Sequence, residues 1–144
     1  EDAFYAVNVV GTTNLLDALA KLDARPRIVL LASSANVYGN TERSPIVESE
    51  PLAPVNHYAT SKVAMEHMAR CYMDRLKIVI TRPFNYTGPG QDVNFLNPNP
   101  ATPFRPHPPT IWLGNLHVER EFNDVRMVCQ AYLGLLEHGQ AGEV

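Results

Sequence analysis

Tyr58 and Lys62 stand four residues apart in the run Tyr58-Ala59-Thr60-Ser61-Lys62. On a helix that spacing puts a phenol and an ammonium on one face. An ammonium beside a phenol favours the phenolate, so the two residues have the makings of an acid/base pair; a solvated helix pair satisfies the same spacing. Two further polar clusters fall at comparable places. Ser33-Ser34-Ala35-Asn36-Val37-Tyr38-Gly39 follows directly on the apolar run Ile28-Val29-Leu30-Leu31-Ala32, and Arg82-Pro83-Phe84-Asn85 follows directly on Lys77-Ile78-Val79-Ile80-Thr81. Taken singly, the first is a serine-rich turn and the second a strand ending at a proline. Taken together they line three positions around one cleft, because ligands of open α/β sheets bind outside the carboxyl ends of the strands.

The elements that must position these groups follow from the apolar spacing. Phe4, Val7, Gly11, Leu15, Ala18 and Leu22 recur at three- and four-residue steps and predict a helix with that face inward. Gly11 inside it costs about 1 kcal/mol relative to alanine, which predicts close approach of another backbone. The runs 28–32 and 77–81 do not alternate, so both read as strands covered on two faces, as in a parallel sheet. Between them the spacing predicts a proline-bearing loop over 40–56 and a helix over His57–Arg75, with Ala64, Met65, Met68 and Tyr72 inward. Asn85 to Gly90 is turn chemistry. A last helix over 124–138 has Asp124 as its cap, Val125, Val128, Cys129, Tyr132, Leu135 and Leu136 inward, and Gly139 as its stop. Helix, strand, helix, strand is the rhythm of a doubly wound α/β sheet.

Composition agrees with a soluble domain. The 144 residues are 45% apolar and 19% charged, with a net charge of -3 that offers nucleic acid no basic field. No apolar run approaches the roughly 20 residues of a membrane helix, and no signal-like segment opens the chain. Cys71 and Cys129 lack metal-type spacing and read as reduced, buried core residues of a cytoplasmic protein. His57, His67, His107, His117 and His138 show no ligand spacing, so no metal site is expected.

The order of Asn8-Val9-Val10-Gly11-Thr12, Ser34-Ala35-x-Val37-Tyr38-Gly39, Tyr58-x-x-x-Lys62 and Arg82-Pro83-Phe84-Asn85 resembles the extended short-chain dehydrogenases/reductases. The resemblance implies NAD or NADP as cofactor, a nucleotide-sugar substrate, a homodimer, and a Gly-rich dinucleotide turn in an N-terminal half that this sequence does not contain. Glu1 is no initiator and a strand starts at Gly142-Glu143-Val144, so the chain reads as a fragment. On that reading residues 1–92 are the C-terminal portion of a Rossmann-like domain, and 93–144 the start of a small substrate-binding region with a returning helix.

Within the family, Arg82 to Gln91 is similar to reductases of GDP-4-keto-6-deoxy-mannose, and Leu113-Gly114-Asn115-Leu116 with Arg120-Glu121-Phe122 to a segment around the nucleotide diphosphate. The resemblance implies Ser34, Tyr58 and Lys62 as catalytic residues. It implies Asn8, Ser33, Tyr58, Lys62 and Pro83 near the cofactor, and Ser34, Ala35, Asn85, Asn115 and Arg120 near the substrate. Dehydratases of the family place an acidic residue after the serine; Ala35 stands there, leaving a reductase or a 4-epimerase. A dinucleotide-binding protein without turnover is the reading from another class.

The chain departs from the family pattern at His57, where proline is common, at Glu121 and at Met127. The largest departure is 97–109, which holds Pro98, Pro100, Pro103, Pro106, Pro108 and Pro109 where the family has a helix. It reads either as a polyproline-like lid or, the favoured reading, as a reading-frame slip restored near Thr110. Resequencing of independent copies of the coding DNA is expected to show the slip, and an unbroken frame in all of them removes that reading.

Overall fold

The computed structural model describes residues 1–92 and 120–144. It divides into two compact units, Glu1–Phe84 with Gln130–Val144, and Asn85–Cys129.

The first unit is built on two strands, β1 (Val29–Ala32) and β2 (Ile78–Thr81), which pair in parallel with Val29 opposite Ile78 and Ala32 opposite Thr81. A parallel pair needs a long crossover, and residues 33–77 supply it. One sheet face carries Val29, Leu31, Ile78 and Ile80. It is covered by Leu16 and Ala20 of α2 (Thr12–Ala20) and by Met65 and Ala69 of α3 (His57–Arg70), with Tyr72 and Leu76 just beyond. On the opposite face Thr81 Oγ1 donates to the Tyr132 hydroxyl at 3.3 Å, from α4 (Val125–His138). β2 is therefore buried on both faces, as its apolar run predicts. β1 is not: Leu30 is half-buried and Ala32 exposed.

The end of the chain runs beside β2, with Gly142 N–H donating to the Ile78 carbonyl and Ile80 N–H to that of Glu143. Gly139 stops α4 as predicted, its N–H donating to the Leu135 carbonyl at 2.8 Å. The Arg27 guanidinium donates to the last carbonyls of that helix, at Leu136 and Glu137, where a cation also complements the helix dipole.

The first helix differs most from expectation. It is α1 (Asp2–Tyr5), a π-helical turn over Ala6–Gly11, and α2. Phe4, Val7, Leu15 and Leu22, predicted inward, are 42%, 68%, 50% and 48% exposed, while Leu16 and Ala20 are buried. The wider π turn takes an extra residue and so advances the inward stripe. The stripe then begins with half-buried Asn8, a polar residue that apolar periodicity passes over. Among the described residues a Cβ on Gly11 would meet only the Ala6 carbonyl, at an ordinary 3.5 Å, so the expected close approach of another backbone is not seen.

Three smaller differences have local causes. α3 ends at Arg70, and the chain turns through Leu76, whose N–H donates to the Tyr72 carbonyl. Cys71 lies in that turn and is exposed; Cys129 is exposed too, as is Leu136, because no residue of α4 is fully buried. In the second unit Asn85–Thr87, predicted as turn, forms β3 and pairs in parallel with β4 (Phe122–Asp124). There Asp124 caps α4 by accepting from Arg126 N–H at 2.8 Å, and the Arg126 guanidinium and this N–H hold its carboxyl down to about 2. The proline-rich stretch 97–109 and Asn115 lie outside the described residues.

Gly39 closes the turn after the serines with φ at +65°, and a Cβ on it would lie 1.9 Å from the Ala53 carbonyl oxygen. Gly39→Ala is expected to cost about 2–4 kcal/mol in urea unfolding, from strain plus overpacking. Gly90→Ala, at φ +85° with nothing within 4 Å, should cost about 1 kcal/mol.

Candidate active site

The helix that carries Tyr58 and Lys62 is started by Asn56, whose side chain accepts from Ala59 N–H at 2.8 Å. Lys62 then reaches across to the sheet. Its Nζ donates to the Ala32 carbonyl, the last of β1, at 2.7 Å, and lies 5.9 Å from the centre of the Tyr58 ring. Burial of the lysine stem pushes the ammonium below the usual lysine range. The Phe4 ring stands edge-on to Tyr58 at 5.7 Å.

Behind this pair runs a polar relay. Asn8 donates its amide to Ser61 Oγ at 2.9 Å, and Ser61 Oγ donates to the Tyr58 carbonyl at 2.7 Å. The π turn that displaces the apolar face thus delivers Asn8 to α3. Just ahead of Tyr58, His57 Nδ1 meets the Tyr5 hydroxyl at 3.1 Å and its Nε2 meets a Glu1 carboxylate oxygen at 3.2 Å.

The serines leave β1 along the path set by β2. Ser33 N–H donates to the Thr81 carbonyl at 2.7 Å and Ala35 N–H to that of Pro83 at 3.0 Å, so the ladder continues past both strand ends. Ser34 is buried and caps the short 3-10 turn Ala35–Tyr38, its Oγ accepting from Asn36 N–H at 3.2 Å. Ser33 Oγ is buried with no hydrogen-bond partner among the described residues. A buried hydroxyl left so costs about 1–3 kcal/mol. Ser33, Ser34, Ala35 and Pro83 continue the strand pair, and Lys62 is bonded to it through the Ala32 carbonyl; Tyr58 shares α3 with Lys62, and Asn8 is tied to that helix through Ser61. Asn85 and Arg120 belong to the second unit, where Asn85 donates to the Glu121 carbonyl at 3.3 Å and Arg120 is exposed.

Sequence reasoning missed one cluster. Glu66 is 0% exposed and its carboxylate takes both Nε and Nη2 of Arg82, at 3.0 and 2.7 Å; the Arg82 side chain is 5% exposed. Arg82 Nη1 donates to the Tyr38 hydroxyl and to the Glu48 carbonyl, each at 3.0 Å. Burial works against the cation, yet the bonds to Glu66 and Tyr38 hold it above the usual arginine range. The signal was present: a period of two puts Arg82 on the same face as Ile78 and Ile80, the face that α3 covers. Glu66 stands between Met65 and Ala69 on the inner side of α3.

A phenol, an ammonium and a serine hydroxyl at one sheet edge suit proton transfer to or from an oxygen of a bound substrate. Among the described residues no three His, Cys, Asp or Glu side chains converge to hold a metal ion.

Comparison with known proteins adds a family to this geometry. The family model described as GDP-mannose 4,6 dehydratase matches residues 2–144. GDP-6-deoxy-D-talose 4-dehydrogenase of Aggregatibacter actinomycetemcomitans is 41% identical over 133 residues, covering 92% of this chain and 45% of the relative. GDP-6-deoxy-D-mannose reductase of Pseudomonas aeruginosa is 35% identical over 147 residues, covering 96% and 48%. The structure of the Pseudomonas aeruginosa protein RMD complexed with NADPH superposes with a TM-score of 0.88 at 36% identity, over 97% of this chain and 51% of that one. The chain thus spans about half the length of the curated relatives it matches, and its sheet is part of a Rossmann fold.

Because folded Lys62 gives up its proton more readily than unfolded Lys62, unfolding takes up protons in the window below pH 10.5. Stability carried by this residue therefore rises with pH through that window. Lys62→Met removes the rise, so the parent's urea midpoint should gain on the variant's from neutral pH up to 10.5. A constant gap would show that the ammonium is not desolvated.

Proposed function

The chain belongs to the GDP-mannose 4,6 dehydratase family, and from that premise we propose that its full-length protein reduces the 4-keto group of a GDP-4-keto-6-deoxy-hexose with NAD(P)H, forming GDP-rhamnose. The observation that carries the reading is the Tyr58–Lys62 pair, with the lysine fixed on the end of β1 where the serines begin.

The residues present fit a nicotinamide dinucleotide. Lys62 has three N–H donors, one of them on the Ala32 carbonyl, which leaves the others for a ribose hydroxyl. The orphan Ser33 Oγ offers a further polar contact. When bound there, the dinucleotide would supply the hydride for reduction at the sugar C4. Tyr58 gives its phenolic proton to the 4-oxygen, so the ketone becomes a hydroxyl, and Lys62 stabilises the phenolate that results. Ser34 orients the same oxygen by hydrogen bonding. Ala35, following Ser34, brings no carboxylate to remove water, which supports reduction over dehydration. By the family resemblance Asn85, Asn115 and Arg120 are the candidates for the sugar and diphosphate, and an arginine's planar fork suits a diphosphate.

A second reading is favoured by the higher identity to the talose enzyme. The same residues act, but hydride enters the opposite face of C4 and the product is the 4-epimer of GDP-rhamnose. Product analysis by NMR separates the two.

The test is net consumption of NAD(P)H by the full-length protein with GDP-4-keto-6-deoxy-mannose. Tyr58→Phe should lower kcat by about 10²–10⁴ while dinucleotide affinity is kept. Turnover that survives the substitution unchanged would refute the role of Tyr58, and a nucleotide sugar epimerised without net oxidation would turn the assignment to an epimerase.

A further inference from the structure

The Glu66–Arg82–Tyr38 cluster touches none of the groups that meet substrate, yet it is the most completely buried charge in the described chain. Its geometry joins two pieces that the reaction needs in register. Arg82 and Pro83 are neighbours. The Pro83 carbonyl accepts from the Ala35 N–H at the start of the serine turn, and the Arg82 guanidinium donates to the Tyr38 hydroxyl at its end. The guanidinium also lies 5.1 Å over the Tyr38 ring. The same guanidinium is gripped on its other edge by Glu66, one helical turn beyond Lys62 on α3. A bidentate fork fixes direction as well as distance. The turn behind Ser34 and the helix bearing Tyr58 and Lys62 are therefore clamped to one rigid, planar cation.

We propose that Glu66, Arg82 and Tyr38 are positioning residues, which hold the Ser34 turn in register with the Tyr58–Lys62 face of α3. Several observations favour this over a role in stability alone. A buried ion pair is no more stabilising than well-packed apolar side chains of the same volume, so bulk stability does not call for one here. Tyr38 adds a third, directional contact whose only target beyond the pair is the turn itself. The Glu48 carbonyl accepts the remaining Nη1 bond, which brings the loop after the turn to the same cation.

The effect on turnover rests on the reductase reading; the effect on the turn does not, and the experiment separates them. Tyr38→Phe in the full-length protein removes one hydroxyl and leaves the ring over the guanidinium, so it tests the link without breaking the ion pair. The Val37 and Gly39 amides, bonded to the Ser34 and Asn36 carbonyls, report the turn by hydrogen exchange. They are expected to exchange about tenfold faster or more in the variant, with the α3 amides unchanged. With the 4-keto sugar, kcat should fall about tenfold or more while KM and dinucleotide affinity hold. Glu66→Gln, which keeps shape and removes charge, should reproduce the kcat effect. Exchange that is unchanged, or faster in α3 and turn alike, overturns the proposal, as does a loosened turn with kcat intact. A parent that does not reduce the sugar refutes the reductase reading, while the exchange comparison still decides whether the cluster positions the turn.

Discussion

The site depends on two parallel strands that end together. With Ala32 opposite Thr81 and the ladder carried on through Ser33 to Thr81 and Ala35 to Pro83, two segments far apart in sequence emerge side by side. Three polar groups are attached to that edge: the serine turn directly, Lys62 through the Ala32 carbonyl, and Arg82 as the next residue after Thr81. A slip of one residue would turn every strand side chain to the opposite face. Such a slip would carry buried Arg82 off the face where Glu66 meets it, so the register is tied to that pair.

The charges around the edge divide sharply by burial. His57 with Glu1 is a solvent-exposed pair of the kind that contributes about 0–1 kcal/mol. Removing one partner from a pair as buried as Glu66 and Arg82 costs about 3–5 kcal/mol, because the other charge is left in a low-dielectric interior. The asymmetry places most of the electrostatic risk of the fold on two residues. They also join β2 to α3, the element that carries Tyr58 and Lys62.

Much of this was legible in the sequence, and the illegible parts share a cause. The strands, the start of α3 and the stop of α4 are written in local signals: unbroken apolar runs, an asparagine cap, a glycine after the last turn. The candidate site positions could be proposed from the sequence because they sit directly at those signals. The inward face of the first helix was not, since Leu15 and Leu16 offer two faces of similar apolarity and the choice falls to a π turn that brings Asn8 to Ser61. Cys71 and Cys129 read as core because cysteine usually is, yet one sits in a turn and the other on a helix with no buried residue. The Glu66–Arg82 pair escaped notice because each charge, taken alone, reads as surface. Only the strand period and the helix face together reveal that they meet.

The contact between Lys62 and Ala32 is with main chain, and this shapes how the site can vary. Every amino acid presents the same carbonyl, so no substitution at position 32 deletes the acceptor; the exposed alanine side chain can drift freely while the ammonium keeps its seat. The anchor is encoded by strand register rather than by residue identity. The side chain at position 32 is therefore no guide to the contact, which any residue there would offer through its carbonyl.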